Sequence, residues 1–157
     1  MSGLRTDMMA RNMLPAVEPV EELVWLNASR VFTDFRNFTF YLEIRYEALE
    51  SLGFLDIMPG PSLVLTIDGA EYTFRGSGSL NNRQKVDNLI SEDAIYQVAA
   101  QDLADIAGAR AVSLKLKGVA KTYENALSEE NIERFDEFVS TYIESGDEKG
   151  FFWKRWF

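Results

Sequence analysis

The stretch NFTFYLEIRYE, residues 37–47, decides the fold. Phe38, Phe40, Leu42, Ile44 and Tyr46 fall on one face of an extended chain, and Asn37, Thr39, Tyr41, Glu43, Arg45 and Glu47 fall on the other. A period of two is what a strand with one buried and one wet face requires. One-sided burial points to an antiparallel sheet, because parallel strands usually hide both faces.

The next strands agree with it. Asp68-Gly69 is a preferred two-residue hairpin turn, since both residue types tolerate positive φ. With those two as the loop, Ile67 faces Ala70, Leu65 faces Tyr72 and Leu63 faces Phe74, and all six side chains share a face. Pro59 and Pro61 bracket the entry. Residues 111–117 alternate again, with Val112, Leu114 and Leu116 inward. Gly118 then turns the chain, and residues 119–126 pair back as the last strand. Less regular apolar content predicts strands within residues 23–35 and over 94–99. Residues 76–83 read as a polar surface loop; the glycines there lack the pattern of a phosphate-binding loop.

Two helices complete the pattern. Residues 101–107 read as a short helix stopped by Gly108. Residues 128–145 read as a long one, with Ser128 as N-cap and Glu129, Glu130 and Glu133 favoured by the dipole. Leu127 and Ile132 stand at the positions of a hydrophobic staple. Ile132, Phe135, Phe138, Val139, Tyr142 and Ile143 form one apolar stripe, and Gly146 closes the helix.

The expected fold is a single α+β domain. It has about six to eight strands in a mainly antiparallel sheet or small β-sandwich, one short helix and one long C-terminal helix. Residues 1–20, with Pro15 and Pro19 and no clear period, read as a mobile or loosely docked N-terminal arm. Residues 21–146 form the globular domain and 147–157 an aromatic, basic tail. A chain of 157 residues buries roughly 70% of its unfolded surface and needs no disulfide or metal staple.

Composition removes much chemistry. There is no cysteine and no histidine. A thiolate nucleophile, a Ser-His-Asp relay, an iron–sulfur cluster and the usual Cys/His zinc site are excluded. Acid–base work would fall to Asp, Glu, Lys or Tyr. No cofactor or metal site is expected; Asp147-Glu148 lacks the alternating oxygen ligands of a calcium loop. Sixteen basic residues against 25 acidic give a net charge of −9, which repels phosphate backbones and argues against nucleic acid. No run approaches the ~18 apolar residues of a membrane span, and the N-terminal residues lack the apolar region of a signal peptide. The expected location is the cytoplasm.

The last seven residues hold five aromatics and two cations: Phe151, Phe152, Trp153, Lys154, Arg155, Trp156 and Phe157. On a helical projection Phe152, Trp153, Trp156 and Phe157 share an arc, with Lys154 and Arg155 outside it. Three readings compete. The tail packs on the domain's own sheet, because five free aromatics make a patch that soluble monomers rarely expose. Alternatively it inserts into a partner or a second copy, since Trp, Phe and Arg dominate interface hot spots. Third, it anchors at a membrane surface, which the acidic body opposes.

Nine carboxylates between Glu124 and Glu148 read mainly as the solvated face of the long helix. Glu43, Glu47, Asp56, Asp68 and Glu71 lie on strands or turns where exposure is the default, so no catalytic residue is assigned. The polar face of residues 37–47, with Thr39, Tyr41, Glu43 and Arg45, is given no site. The expected function is non-enzymatic: protein–protein binding or self-association through Phe152, Trp153, Lys154, Arg155, Trp156 and Phe157. A carboxylate-based enzyme and a membrane-surface adaptor are the alternatives.

Overall fold

The computed structural model describes residues 5–9, 11–34 and 37–144. The strands are β1 (Arg5–Met8), β2 (Glu22–Asp34), β3 (Asn37–Leu49), β4 (Gly60–Ile67), β5 (Ala70–Gly76), β6 (Arg83–Val86), β7 (Leu89–Val98), β8 (Val112–Lys117) and β9 (Thr122–Ala126). Helix α1 (Ala100–Ala107) lies between β7 and β8, and α2 (Glu129–Tyr142) follows β9. Every strand pairing is antiparallel, in one sheet ordered β1-β2-β3-β7-β5-β4-β8-β9, with β6 also on β7.

The alternation of β3 sets the sheet's two faces. Leu26, Ile44 and Ala94 form one inward row across β2, β3 and β7, and Ala28, Leu42 and Tyr96 form the next. On the other half Leu63 stands between Phe74 and Leu116, and Leu65 between Tyr72 and Leu114. The hairpin has the register that its turn and pattern predict, with Asp68 at φ 48 and Gly69 at φ 89. These inward rows and the apolar stripes of both helices form one core.

One strand pairing joins the halves of the sheet, Gly76 of β5 with Tyr96 of β7. A Cβ at Gly76 would come within 2.7 Å of the Ile95 carbonyl and 2.9 Å of the Tyr96 ring. Only glycine permits this corner. Tyr96 also shares a 2.7 Å hydrogen bond with the Ser62 hydroxyl of β4, tying both halves together inside the core. Past the corner, β9 comes round to the chain preceding β2. Asn125 Nδ2 donates to the Pro15 carbonyl at 2.8 Å, and the Tyr46 and Tyr123 rings meet edge-on, 6.3 Å between centroids.

The helices pack on each other and on the core. Ser128 caps α2 in a capping box with Asn131, an arrangement worth about 1 kcal/mol. Leu127 and Ile132 are buried at the staple positions. Asn131 Nδ2 donates to Asn12 Oδ1 at 2.7 Å and to the Met13 carbonyl at 2.9 Å, so the helix start is fastened to the chain preceding β2.

Several elements differ from their expected bounds. The four-residue strands β1 and β6 carry the total to nine. Residues 5–9 and 11–14, within the segment expected to be an arm, run along β2: β1 pairs with it, and Leu14 N donates to the Val24 carbonyl at 2.9 Å. Asn12 and Leu14 are buried. β7 begins at Leu89, five residues before the apolar content announced it, because Ser91 and Glu92 are buried polar residues that hide the period. β9 begins at Thr122 rather than 119. In the expected surface loop Ser79 is buried and Arg83 already belongs to β6. α2 ends at Tyr142, whose carbonyl is taken at 3.0 Å by the Arg30 guanidinium of β2, a cation placed where the helix dipole favours it. Gly146 and the 147–157 tail lie outside the described residues.

Candidate functional site

The odd-numbered residues of β2, β3 and β7 form the sheet's outer face, and registry aligns them in rows. Trp25, Arg45 and Asp93 make one row; Asn27, Glu43 and Ile95 make the next. Together with Met8 and Arg11 beside β2, Glu47 on β3 and Asn82 before β6, they line an open groove of about 610 Å³. β3 thus sends its even residues to the core and its odd residues to this groove.

Asn27 fixes one wall. Its side-chain amide donates to the Met9 carbonyl at 3.3 Å, and its Oδ1 accepts from the Asn12 backbone at 3.4 Å. A side chain therefore supplies the rung where the chain slips between its β1 register and its rejoining at Asn12 to Leu14. Arg11, from this slip, lays its guanidinium 4.7 Å from the Trp25 ring centroid. The Arg11 carbonyl accepts from Arg134 of α2 at 3.2 Å, which steadies the arginine that covers the tryptophan.

The floor is charged. Arg45 Nε donates to Glu47 Oε2 at 3.0 Å, and its Nη1 donates to Asp93 at 3.1 and 3.2 Å. Burial works against the Arg45 charge, but the hydrogen bonds and charges of Glu47 and Asp93 outweigh it and raise its pKa. Glu43 accepts from the Ser29 hydroxyl at 2.6 Å. Three carboxylates and two guanidiniums leave the lining acidic by one charge. Met8 and Ile95, 47% and 43% exposed, add apolar surface beside the acids. The groove therefore offers carboxylates, apolar patches and an indole already stacked with a guanidinium, which is the chemistry of cationic and aromatic side chains.

Other polar clusters are accounted for by the fold. Glu92, inward on β7 and fully buried, accepts from the backbone N–H groups of Leu55, Asp56 and Ile57 and from the Ser79 hydroxyl. Asp56 pairs with Arg83, and Asp68 accepts from the Arg110 and Ala111 N–H groups at 2.9 Å. A smaller hollow of about 390 Å³ on the outer face of β4, β8 and β9 holds Glu71, Lys115 and Glu124 and no aromatic residue. No group of three acids among the described residues could hold a metal ion.

Phe152, Trp153, Lys154, Arg155, Trp156 and Phe157 lie outside the described residues. The structure brings together a different set: Trp25, Asn27, Glu43, Arg45, Glu47, Asp93 and Ile95. Sequence reasoning placed no site on the polar face of β3, although Glu43, Arg45 and Glu47 in alternation are visible there. Trp25 and Asp93 join them only through registry with β2 and β7. Comparison of the chain with protein-family models, with curated proteins and with solved structures gives no match.

Proposed function

We propose that this chain is a non-enzymatic, cytoplasmic binding module that acts by protein–protein contact, its groove receiving an extended segment rich in cationic and aromatic side chains. The observation that carries the reading is the guanidinium of Arg11 on the Trp25 ring, within a lining of Glu43, Glu47 and Asp93. The surface already holds one such cation–aromatic pair, and each such pair contributes about 0.5–2 kcal/mol, more as water is excluded. The acidic body, with its net charge of −9, steers a basic partner toward it. Absent cysteines suit a reducing compartment. Among the described residues no helix is long and apolar enough to cross a membrane.

The test is a titration of isotopically labelled protein with a synthetic peptide of alternating arginine and tryptophan, taken to millimolar peptide and followed by amide NMR. Shifts gathering on the Trp25 indole, the Asn27 side-chain amide and residues 43–47 and 93–95 are expected, and Glu43→Lys should weaken them. Shifts scattered over the surface, or confined to the helices, overturn the reading.

A further inference from the structure

We propose that the groove's occupant is the chain's own C-terminal segment, residues 149–157, docked on the outer face of β2, β3 and β7 of the same molecule. This rests on the binding reading above and names the ligand.

Chemistry is the first argument. The segment reads KGFFWKRWF: five aromatic and three cationic side chains in nine residues, with no acid. It is the one stretch of this acidic chain with that composition, and the groove offers three carboxylates, the Arg11-stacked Trp25 indole and two exposed apolar side chains. Lys154 and Arg155 beside Trp153 and Trp156 repeat the pairing that Arg11 makes with Trp25. The docking also removes a set of aromatics from water that soluble proteins rarely expose together.

Reach is the second. α2 ends at Tyr142, and Arg30 of β2 holds that carbonyl at 3.0 Å, so the C-terminal residues set out from beside the strand that carries Trp25 and Asn27. Arg30 and Trp25 are five residues apart, about 17 Å along β2. Ile143 and Glu144 still bond back to the Val139 carbonyl, and the nine residues from Glu144 to Trp153 extend to about 30 Å, enough to pass the edge of the sheet and enter the groove. A segment tethered at this range acts at an effective concentration of order millimolar, which favours the same molecule over a second copy.

Because the chain has no cysteine, an introduced pair reports contact without background. Under mild oxidation at micromolar protein, Ile95→Cys with Gly150→Cys should close an intramolecular disulfide at least about tenfold faster than Lys115→Cys with Gly150→Cys, whose first cysteine lies in the other hollow. Equal rates overturn the proposal, and so does a product that is mainly dimeric. A second measurement separates this proposal from the binding reading. A labelled KGFFWKRWF peptide is titrated onto the full chain and onto the full chain carrying Trp153→Ala and Trp156→Ala. Binding at least about tenfold tighter to the variant supports docking in the same molecule. Equal binding to both leaves the groove a receptor and overturns self-docking. Binding to neither overturns both.

Discussion

The Glu92 carboxylate receives the Leu55 backbone N–H at 2.6 Å, across 37 residues of sequence and with no access to solvent. The same carboxylate holds the next two N–H groups and the Ser79 hydroxyl, so four donors converge on one inward side chain. Asp56, the middle of the three, has φ 63, and this turn lets consecutive N–H groups point the same way. Glu92→Gln keeps the shape but replaces one acceptor oxygen with a donor amide facing donors. The expected loss is about 2–4 kcal/mol, read as a lower urea midpoint, and Ser79→Ala should cost only about 1 kcal/mol. Equal small losses from both would mean that the carboxylate does not organise the 55–57 turn.

Three glycines separate close approach from mere turning. At Gly118 a Cβ would lie 2.0 Å from the Leu55 carbonyl oxygen, and at Gly76 it would meet the Ile95 carbonyl and the Tyr96 ring. At Gly108, the C-cap of α1 with φ −91, the nearest atom is 3.5 Å away. Gly118→Ala and Gly76→Ala should each cost about 3 kcal/mol or more, because backbone must move. Gly108→Ala should raise stability by about 0.4–1 kcal/mol through the unfolded chain. Thermal melts of the three variants check the ranking.

What the sequence makes legible follows from which contacts are local. β3, β8 and the 63–74 hairpin have burial set by alternation and by one turn, and pattern alone finds them with the right register. The first half of β7 is opaque, because Glu92 sits on the core face and its partners are residues 55–57 and 79. Asn12 and Leu14 carry no period because that segment rejoins β2 after a slip, with Asn27 bridging the gap. The groove was half visible. Glu43, Arg45 and Glu47 declare a polar face, but its aromatic and its third acid, Trp25 and Asp93, arrive through cross-strand registry that no local pattern encodes.

Alkaline pH should unfold the protein through its interior phenols. Burial, then the hydrogen bond to Glu22, pushes the Tyr46 pKa far above its usual value. Burial also raises Tyr96 and Tyr123, while their bonds to Ser62 and Asn125 pull the other way. In the unfolded chain these phenols ionise near pH ~10. Their contribution is therefore complete below pH ~10 and declines as pH rises toward the folded values, at up to about 1.4 kcal/mol per pH unit for each tyrosine. Urea midpoints from pH 8 to 11.5 should hold and then fall steeply. Tyr46→Phe should make the fall shallower; an unchanged slope would remove Tyr46 from this account.

Arg45 gives the sharpest test of the groove's charge preference. It binds Glu47 and Asp93 at once, so it occupies two of the three carboxylates that would meet a cationic ligand. Both ion pairs are part-exposed, and losing them should cost under about 1 kcal/mol. Arg45→Met keeps the apolar stem and releases both acids. In a chain also carrying Trp153→Ala and Trp156→Ala, so that its own C-terminal residues compete less, this change should tighten binding of the KGFFWKRWF peptide by about 3- to 10-fold and steepen its loss with salt. Glu43→Lys should act in the opposite direction by a similar factor. Weaker binding after Arg45→Met would mean that the arginine itself contacts the peptide's aromatic rings, and that releasing Glu47 and Asp93 does not govern the groove's preference.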